Sequence, residues 1–195
     1  MVCLRQVLGA AASANDELLS GIDARSTESG DQGFLRALYA STRADEMRAT
    51  AWPDSRCGAF LDQQFDFQHR HYRSRHPDAL FLLLHHAGEP IGRLYWRYGQ
   101  APATDATLID LSLLPSRRGQ GLGSAVLRLL TAEADRRGQV IELHVEPDNP
   151  AHRLYRRFGF DVDGDDSLHL KMRRPLGAPE AGHPGALKAA SARAA

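Results

Sequence analysis

The sequence predicts an α/β protein in which a central mixed β-sheet is flanked by helices. Strand patterns first follow one another as a hairpin and then alternate with helical patterns, which indicates a layered α/β architecture. Over residues 107–145 the order is strand, glycine-rich turn, helix and strand. Because a connection of this kind makes its two strands parallel, the sheet is expected to hold both strand orientations.

Two helices are predicted ahead of the hairpin. Residues 34–39 carry an apolar stripe of helical spacing, and Asp31 or a neighbour could cap that helix. Residues 57–75 predict a second helix, although the segment FDFQHRHY inside it also alternates like a strand. The hairpin strands are expected at 80–84 and 91–98, with the turn at Gly-Glu-Pro.

The second half of the chain predicts alternating strands and helices. The expected bounds are strand 107–114, helix 121–137, strand 140–145, helix 150–158, and final strands at 160–162 and 168–172. Gly138 suits the position just past the end of a helix, where glycine is common.

Residues 22–174 are predicted to form one ordered domain. Residues 1–21 and 175–195 hold few large apolar side chains, so they predict a flexible N-terminal extension and a disordered C-terminal tail. The first residues imitate a secretory signal, but their apolar part contains Gly9 and mostly alanines, so we expect a cytoplasmic protein. No apolar run approaches the roughly 18 residues of a membrane span.

Charge and cysteine content argue against several classes of protein. The 24 Lys and Arg residues balance 24 Asp and Glu residues, so no overall basic field favours nucleic acid or an anionic membrane. Two cysteines are too few for a disulfide framework or a zinc ribbon and indicate free thiols in a reducing compartment. His69 and His71 share a face only on a strand, and no neighbouring carboxylate or cysteine completes a ligand set, so no metal is predicted.

The segment LLPSRRGQGLGSAVLRLL, residues 113–130, places three glycines at every second position at the head of a predicted helix. Since glycine weakens a helix, these positions need a reason. Gly119, Gly121 and Gly123 would let a phosphate approach the backbone amides, while the helix dipole and two preceding arginines supply positive charge. Ser124 could add a hydroxyl donor. The alternative is a plain tight turn with exposed arginines, which requires fewer glycines.

Two common nucleotide motifs fit this segment poorly. No lysine stands where a Walker loop has Gly-Lys-Ser/Thr, and the glycine spacing differs from the G-x-G-x-x-G of dinucleotide-binding folds. The pattern R-x-x-G-x-G at residues 118–123 instead resembles the pyrophosphate-binding motif of the GCN5-related N-acetyltransferase (GNAT) superfamily.

The neighbouring segments extend this resemblance. IDLSLLP looks like the family's fourth strand, and VIELHVEPDNPAHRLYRRFGF looks like its fifth strand, an asparagine, and a helix ending in L-Y-x-x-x-G-F. The resemblance is specific over residues 108–160 and extends by element order to 22–174, which would make that range the N-acetyltransferase domain. One departure is that Asn149 precedes Tyr155 by six residues, where many relatives have seven.

The resemblance implies that acetyl-CoA is the cosubstrate and lies in a notch between strands four and five. Its pantetheine arm would pair with strand-four backbone at Leu111 and Leu113, like an added strand. Ile109, Leu111 and Leu113 would then face one side of the sheet, and Asp110 and Ser112 the other. The cofactor-binding residues implied are Leu111, Leu113, Arg118, Gly119, Gln120, Gly121, Leu122, Gly123, Ser124 and Asn149.

The resemblance also implies acetyl transfer by direct attack of a neutral amine. Tyr155 matches the family's general acid, because a phenol of ordinary pKa about 10 can protonate a thiolate whose conjugate acid has a pKa of about 8.5. Tyr155 also suits aromatic packing of a short helix onto the sheet, and both roles can hold. Leu154, Phe158 and Phe160 fit the core.

Three residues are alternative general bases. His144 lies on the fifth strand, where some relatives carry a glutamate that acts through water, and a neutral imidazole could do the same. Glu142 lies two residues back on the same strand face, and Asp110 lies in strand four. Many enzymes of this fold need no dedicated base when the amine arrives neutral.

The predicted function is therefore an acetyl-CoA-dependent N-acetyltransferase acting on a primary amine. The acceptor is a small molecule, a protein N-terminus or a lysine, with no nucleic acid or membrane as partner. The alternatives are a non-catalytic acyl-CoA sensor of the same fold and a transferase for a longer acyl chain. Dimers are common in similar proteins, so a homodimer is the assembly to consider.

Overall fold

The computed structural model describes residues 2–7, 21–100, 105–165 and 169–181. These residues fall into two compact units. The first holds residues 2–7, 21–97 and 109–123, and the second holds residues 98–100, 105–108, 124–165 and 169–181. Across the described ranges, no helix has the length and apolar character needed to span a bilayer.

The first unit combines antiparallel strands with helices. Its elements are β1 (Val2–Cys3), α1 (Leu4–Val7), β2 (Ile22–Ser26), a 3₁₀ turn (Ser29–Asp31), α2 (Gln32–Thr42), α3 (Ala44–Ala49), α4 (Asp54–Arg75), β3 (Leu80–His86), β4 (Glu89–Arg97), the second half of β5 (Ala106–Leu113) and a 3₁₀ turn (Pro115–Arg117). The strand order is β1-β2-β3-β4-β5, and β1 to β4 pair antiparallel.

The predicted hairpin is confirmed, but its turn lies at Ala87 and Gly88, because Glu89 and Pro90 already pair in β4. The predicted helix after residue 57 is also confirmed. Strands β3 and β4 meet at Ala87 and Gly88, whose φ angles of 50° and 83° are the left-handed pair that a tight hairpin turn favours. Helix α4 includes FDFQHRHY: Phe65 is fully buried, whereas Phe67 is 53% exposed. A strand would have placed these two side chains on one face, so burial at helical spacing decides against the alternating pattern.

The core of the first unit lies between helices α2 and α4 and the sheet. Leu35, Tyr39, Phe65 and Leu83 form one buried cluster there. Strands β3 and β4 are buried on both faces over most of their length, which explains their continuous apolar runs. The apolar stripe predicted for α2 therefore faces the sheet.

The second unit contains the predicted parallel connection. Its elements are the first half of β5, most of α5 (Leu122–Arg136), β6 (Ile141–Val145), α6 (His152–Arg157), β7 (Asp161–Asp165) and β8 (Leu170–Arg174). The strand order is β5-β6-β8-β7. Strand β5 pairs parallel with β6, and the other pairs are antiparallel, so the fold is α/β with a mixed sheet, as predicted. Gly138, with φ of 68°, follows the end of α5.

Ordered structure extends past both bounds expected for the domain. Strand β1 pairs with β2 through Val2 and Ala24, and Leu4 is fully buried, so this leucine anchors residues 2–7. After β8, the backbone amide of Gly177 donates to Asp135 at 2.8 Å, which anchors residues 175–181. The rest of the predicted extension and tail, residues 8–20 and 182–195, lies outside the described residues.

Candidate active site

The glycine-rich loop follows β5 and leads into α5. Gly119 and Gly121 have φ angles of 71° and 82°, in the left-handed region that favours glycine. A Cβ atom added at Gly119 would meet no heavy atom within 4 Å. The backbone conformation, and not crowding by this chain, therefore requires glycine at position 119, and the loop surface is open there.

Two side chains of the loop hydrogen-bond to nearby main chain. Arg118 Nε donates to the carbonyl of Leu113 at 2.9 Å, and Gln120 Nε2 donates to the carbonyl of Ser116 at 2.7 Å. Both were expected to contact the cofactor. Their side chains fix the shape of the loop, and residues 118–121 are all exposed.

The second half of β5 presents partly exposed apolar residues. Ile109, Leu111 and Leu113 are each half-buried. On the neighbouring strand, Gly92 is buried, and a Cβ there would lie within clashing distance of the Ser112 carbonyl oxygen and 2.8 Å from Leu113 Cδ2. The absence of a side chain at position 92 thus allows β4 to approach the end of β5 closely.

Asp110 lies in a buried polar cluster of the first unit. Arg93 donates to its Oδ1 from Nε at 3.1 Å and to its Oδ2 from Nη2 at 2.7 Å. Ser112 Oγ donates to Oδ1 at 2.7 Å, so Asp110 and Ser112 share a face of β5 as predicted. Gln68 accepts a further bond from Arg93 at 2.8 Å. The candidate base Asp110 is therefore held as a hydrogen-bond acceptor by its neighbours.

Arg93 is the buried cation of this cluster, with a side chain only 3% exposed. Burial by itself lowers the pKa of Arg93, but the charge of Asp110, the hydrogen bonds to it and the nearby phenols together more than offset this effect, so the pKa lies above its ordinary value. Burial also raises the pKa values of the neighbouring phenols Tyr72 and Tyr95. The cluster thus consists of one guanidinium, one carboxylate and neutral phenols.

Glu142 and His144 share one face of β6, as predicted. Ile141, Leu143 and Val145 are buried on the other face. Glu142 Oε1 forms ion pairs with Lys171 Nζ at 2.9 Å and with Arg173 Nε at 3.6 Å. Glu142 is therefore neutralised by two cations of β8. His144 is exposed and lies directly across from Lys171 in the strand pairing.

Asn149 and Tyr155 occupy the start and middle of the segment that forms α6. The side-chain oxygen of Asn149 accepts from the Ala151 amide at 2.9 Å, which stabilises the turn into the helix. Tyr155 is 9% exposed, and its ring centroid lies 5.8 Å from that of Phe160. The packing role considered for Tyr155 is thus present.

Sequence reasoning missed two partners. Arg93 could have been found, because it and Asp110 are each a lone charge inside an apolar strand, and such charges are expected to pair. Arg157 donates to Ser124 Oγ at 2.5 Å, although the two residues are 33 positions apart. No local pattern predicts that contact, since it depends on how α5 and α6 meet.

The histidines form no metal site in the part of the chain that the structure describes, where no group of three or more His, Cys, Asp or Glu residues is arranged for one. His69 stacks on Phe65 with centroids 5.5 Å apart. Burial lowers the pKa of His69, so this ring fits a mainly apolar surrounding.

Strand β5, the glycine-rich loop, helix α5 and the parallel strand β6 follow one another as a β-α-β connection. The family model for the acetyltransferase (GNAT) family matches residues 30–160. This range is well over half of the chain, and the chain therefore belongs to that family. None of the curated proteins compared with the chain matches it significantly.

Solved structures share the fold at low sequence identity. PaiA N-acetyltransferase from Thermoplasma acidophilum, in complex with coenzyme A, is 20% identical, with a TM-score of 0.57 over 79% of this chain and 98% of that chain. An acetyltransferase from Thermus thermophilus is 24% identical, with a TM-score of 0.57 over 80% and 97%. RimL, a ribosomal L7/L12 alpha-N-protein acetyltransferase, is 20% identical, with a TM-score of 0.55 over 79% and 89%.

Proposed function

We propose that this protein transfers an acetyl group from acetyl-CoA to a primary amine by direct attack of the neutral amine. The observation that carries the proposal is the glycine-rich loop, in which Gly119 and Gly121 are left-handed and exposed and lie directly before the start of α5. Membership of the acetyltransferase family supports it independently.

The residues of this loop fit coenzyme A. The first amides of a helix have no partner within the helix, and with the helix dipole they favour an anion such as a diphosphate. Open space beside Gly119 and self-contained hydrogen bonds of Arg118 and Gln120 favour contact through main-chain amides. The half-buried apolar residues Leu111 and Leu113 of β5 suit the pantetheine arm.

Acetyl-CoA, when bound, supplies an activated acyl group as a thioester. In this proposal Tyr155 holds the proton that the departing sulfur needs. His144 takes the proton of the amine, because among the three candidate bases Asp110 and Glu142 are each paired with buried or neighbouring cations. Asn149 acts through α6, by fixing the turn from which that helix begins.

The acceptor class remains broad in this proposal and includes protein amino termini. RimL, which shares the fold, is an alpha-N-protein acetyltransferase. A small-molecule amine and a lysine side chain are the other members of the class. An acceptor screen with equal concentrations of peptides and small amines, monitored by release of the free thiol, separates them.

Coenzyme A binding is the first test, read as a rise in melting temperature. We expect coenzyme A to stabilise the wild-type protein and Gly121→Glu to remove that rise, because a charged side chain on a left-handed residue disturbs the loop. Gly138→Glu is the matched control: Gly138 has φ of 68°, similar to the 82° of Gly121, but it lies at the other end of α5. A rise that persists in Gly121→Glu would contradict the proposed phosphate site.

A further inference from the structure

The hydrogen bond between Arg157 and Ser124 joins two helices of the second unit. Arg157 is the last residue of α6, and its Nη2 atom lies 2.5 Å from Ser124 Oγ. Ser124 is the third residue of α5, so its backbone amide is one of those without a partner inside the helix. The contact therefore lies directly after the glycine-rich loop.

The chemistry of the two groups fixes the direction of this bond. A guanidinium has only donors, so the Ser124 oxygen must be the acceptor. The hydroxyl proton of Ser124 is then left for another acceptor, and the bond from a cation strengthens it as a donor. Ser124 thus offers two donors, its amide and its hydroxyl, at the start of α5.

Arg157 of α6 and Arg128 of α5 differ in their ion pairs. Arg128, one turn after Ser124, donates to both carboxylate oxygens of Glu180 at 3.0 and 3.1 Å. Arg157 makes no ion pair with any of the described residues, and it is exposed. The charge of Arg128 is therefore neutralised by Glu180. The charge of Arg157, which contacts Ser124, is not neutralised by any of the described residues.

Arg157 is also held in place. Its carbonyl accepts from the Ala181 amide at 2.7 Å, and its guanidinium carbon lies 5.7 Å from the ring centroid of Phe158. Phe158 is 2% exposed, so the guanidinium rests against a fixed aromatic surface. A positioned cation costs less ordering on binding an anion than a freely moving one.

We propose that Arg157 is a positioning residue for the diphosphate of coenzyme A and acts through the hydroxyl of Ser124. Ser124 donates to a phosphate oxygen, and Arg157 orients that hydroxyl and supplies the balancing charge. This inference rests on the proposed function. The inference adds Arg157 of α6, which lies outside the glycine-rich motif, to the proposed coenzyme A site.

The test measures dissociation constants by calorimetry for coenzyme A and for 3′-dephospho-coenzyme A. The variants are Ser124→Ala, Arg157→Gln, the double variant, and Arg156→Gln as a matched control with the same charge change one residue away. We expect Ser124→Ala and Arg157→Gln each to weaken binding about tenfold, as loss of a charge-assisted hydrogen bond predicts. Arg156→Gln should change the constant by less than about threefold, because an exposed charge without contact contributes little.

Two further results are expected if Arg157 acts through Ser124. The double variant should bind only slightly more weakly than either single variant, since coupled residues are not additive. The losses should be equal for both ligands, because 3′-dephospho-coenzyme A keeps the diphosphate. Arg157→Lys should restore part of the affinity, which a purely structural effect of Arg157 on α6 does not predict.

Other outcomes overturn the inference. Equal effects of Arg157→Gln and Arg156→Gln would reduce Arg157 to general surface charge, and additive losses would separate it from Ser124. A loss confined to intact coenzyme A would move the contact to the ribose 3′-phosphate. Absence of any binding by the wild-type protein would instead reject the proposed function, while normal binding with an inert Arg157→Gln would reject this inference alone.

Discussion

The guanidinium of Arg93 lies against both carboxylate oxygens of Asp110, at 3.1 and 2.7 Å. The side chains are 3% and 11% exposed, so the pair joins β4 to β5 inside the first unit. A buried ion pair gains Coulomb energy but loses the hydration of both ions, and its net contribution is often close to zero. Removing one partner, however, leaves the other charge buried alone.

Arg93→Met is therefore expected to lower the free energy of unfolding by about 3–5 kcal/mol. The double variant Arg93→Met/Asp110→Leu should recover much of this loss, because it leaves no isolated charge. Urea denaturation of the three proteins measures the difference. Asp62→Asn is the control, since Asp62 pairs with Arg36 at the surface and should contribute less than about 1 kcal/mol. A double variant as unstable as Arg93→Met would contradict the argument.

Two glycines should respond in opposite ways to the same substitution. Gly92→Ala places a methyl group against the Ser112 carbonyl oxygen and Leu113, so β4 and β5 must move apart, and overpacking of this kind costs about 1–3 kcal/mol. Gly58→Ala lies in helix α4, where a Cβ meets nothing within 4 Å, and should stabilise by about 0.5–1 kcal/mol. Thermal unfolding of both variants checks the signs, and destabilisation of equal size at both positions would be the contrary result.

Tyr155→Phe tests the proposed proton donor. The variant keeps the ring that packs against Phe160, so stability should change little, while kcat should fall about 10²-fold or more. The dissociation constant of acetyl-CoA should stay within about threefold, because the hydroxyl acts mainly in the transition state. Tyr98→Phe, which removes a hydroxyl from a ring stacked on Arg137, is the control for nonspecific loss. A matching loss of affinity and turnover would assign Tyr155 to binding.

The base is tested by comparing two residues on the same face of β6. His144→Gln should lower kcat/KM about 10²-fold near neutral pH. The loss should shrink as the pH approaches the pKa of the amine, because a growing share of the amine then needs no base. Glu142→Gln, which removes the partner of Lys171, should leave kcat/KM within about threefold. If His144→Gln is as active as the wild type at every pH, the transfer uses no residue of this strand as base.

Local patterns predicted most of the fold. The hairpin, the parallel connection and the helix end at Gly138 each depend on residues that are adjacent in sequence, so turn chemistry and periodicity reveal them. The short strand β1 and the segment after Arg174 were not predicted because tertiary contacts order them: Leu4 is fully buried, and Gly177 and Glu180 bond to Asp135 and Arg128. The amino-acid composition of a segment does not reveal individual tertiary contacts, so composition alone predicted that both terminal segments are flexible.

The candidate site also contains some features that the sequence predicts and others that depend on the folded structure. A motif drew attention to the glycines at 119 and 121, and both have a left-handed backbone conformation in the folded chain. The pairing of Asp110 with Arg93, of Glu142 with Lys171, and of Ser124 with Arg157 depends on tertiary structure. A list of candidate bases taken from sequence therefore contains carboxylates that the folded protein already neutralises.

The ion pair of Arg25 with Asp31 gives a prediction for acid stability. Hydrogen bonds from Arg25 at 2.6 and 2.7 Å, opposed in part by burial and assisted by the Glu28 amide at 2.7 Å, hold the pKa of Asp31 below its ordinary value. As the pH falls, the unfolded chain therefore takes up this proton before the folded protein does. The stabilisation is fully present above the ordinary aspartate pKa of about 3.9 and is lost as the pH falls through the lower pKa of the folded state.

Asp31→Asn should accordingly be less stable than the wild type at pH 7, because it loses the charge that both hydrogen bonds from Arg25 require. The difference should stay constant down to about pH 5 and then shrink below about pH 4, where the wild type loses the same interaction. Urea denaturation across this range measures it. Asp148→Asn, at an exposed loop position, controls for the general effect of removing a negative charge. A difference between wild type and Asp31→Asn that does not change with pH would show that packing of the side chain, and not its charge, accounts for the stabilisation.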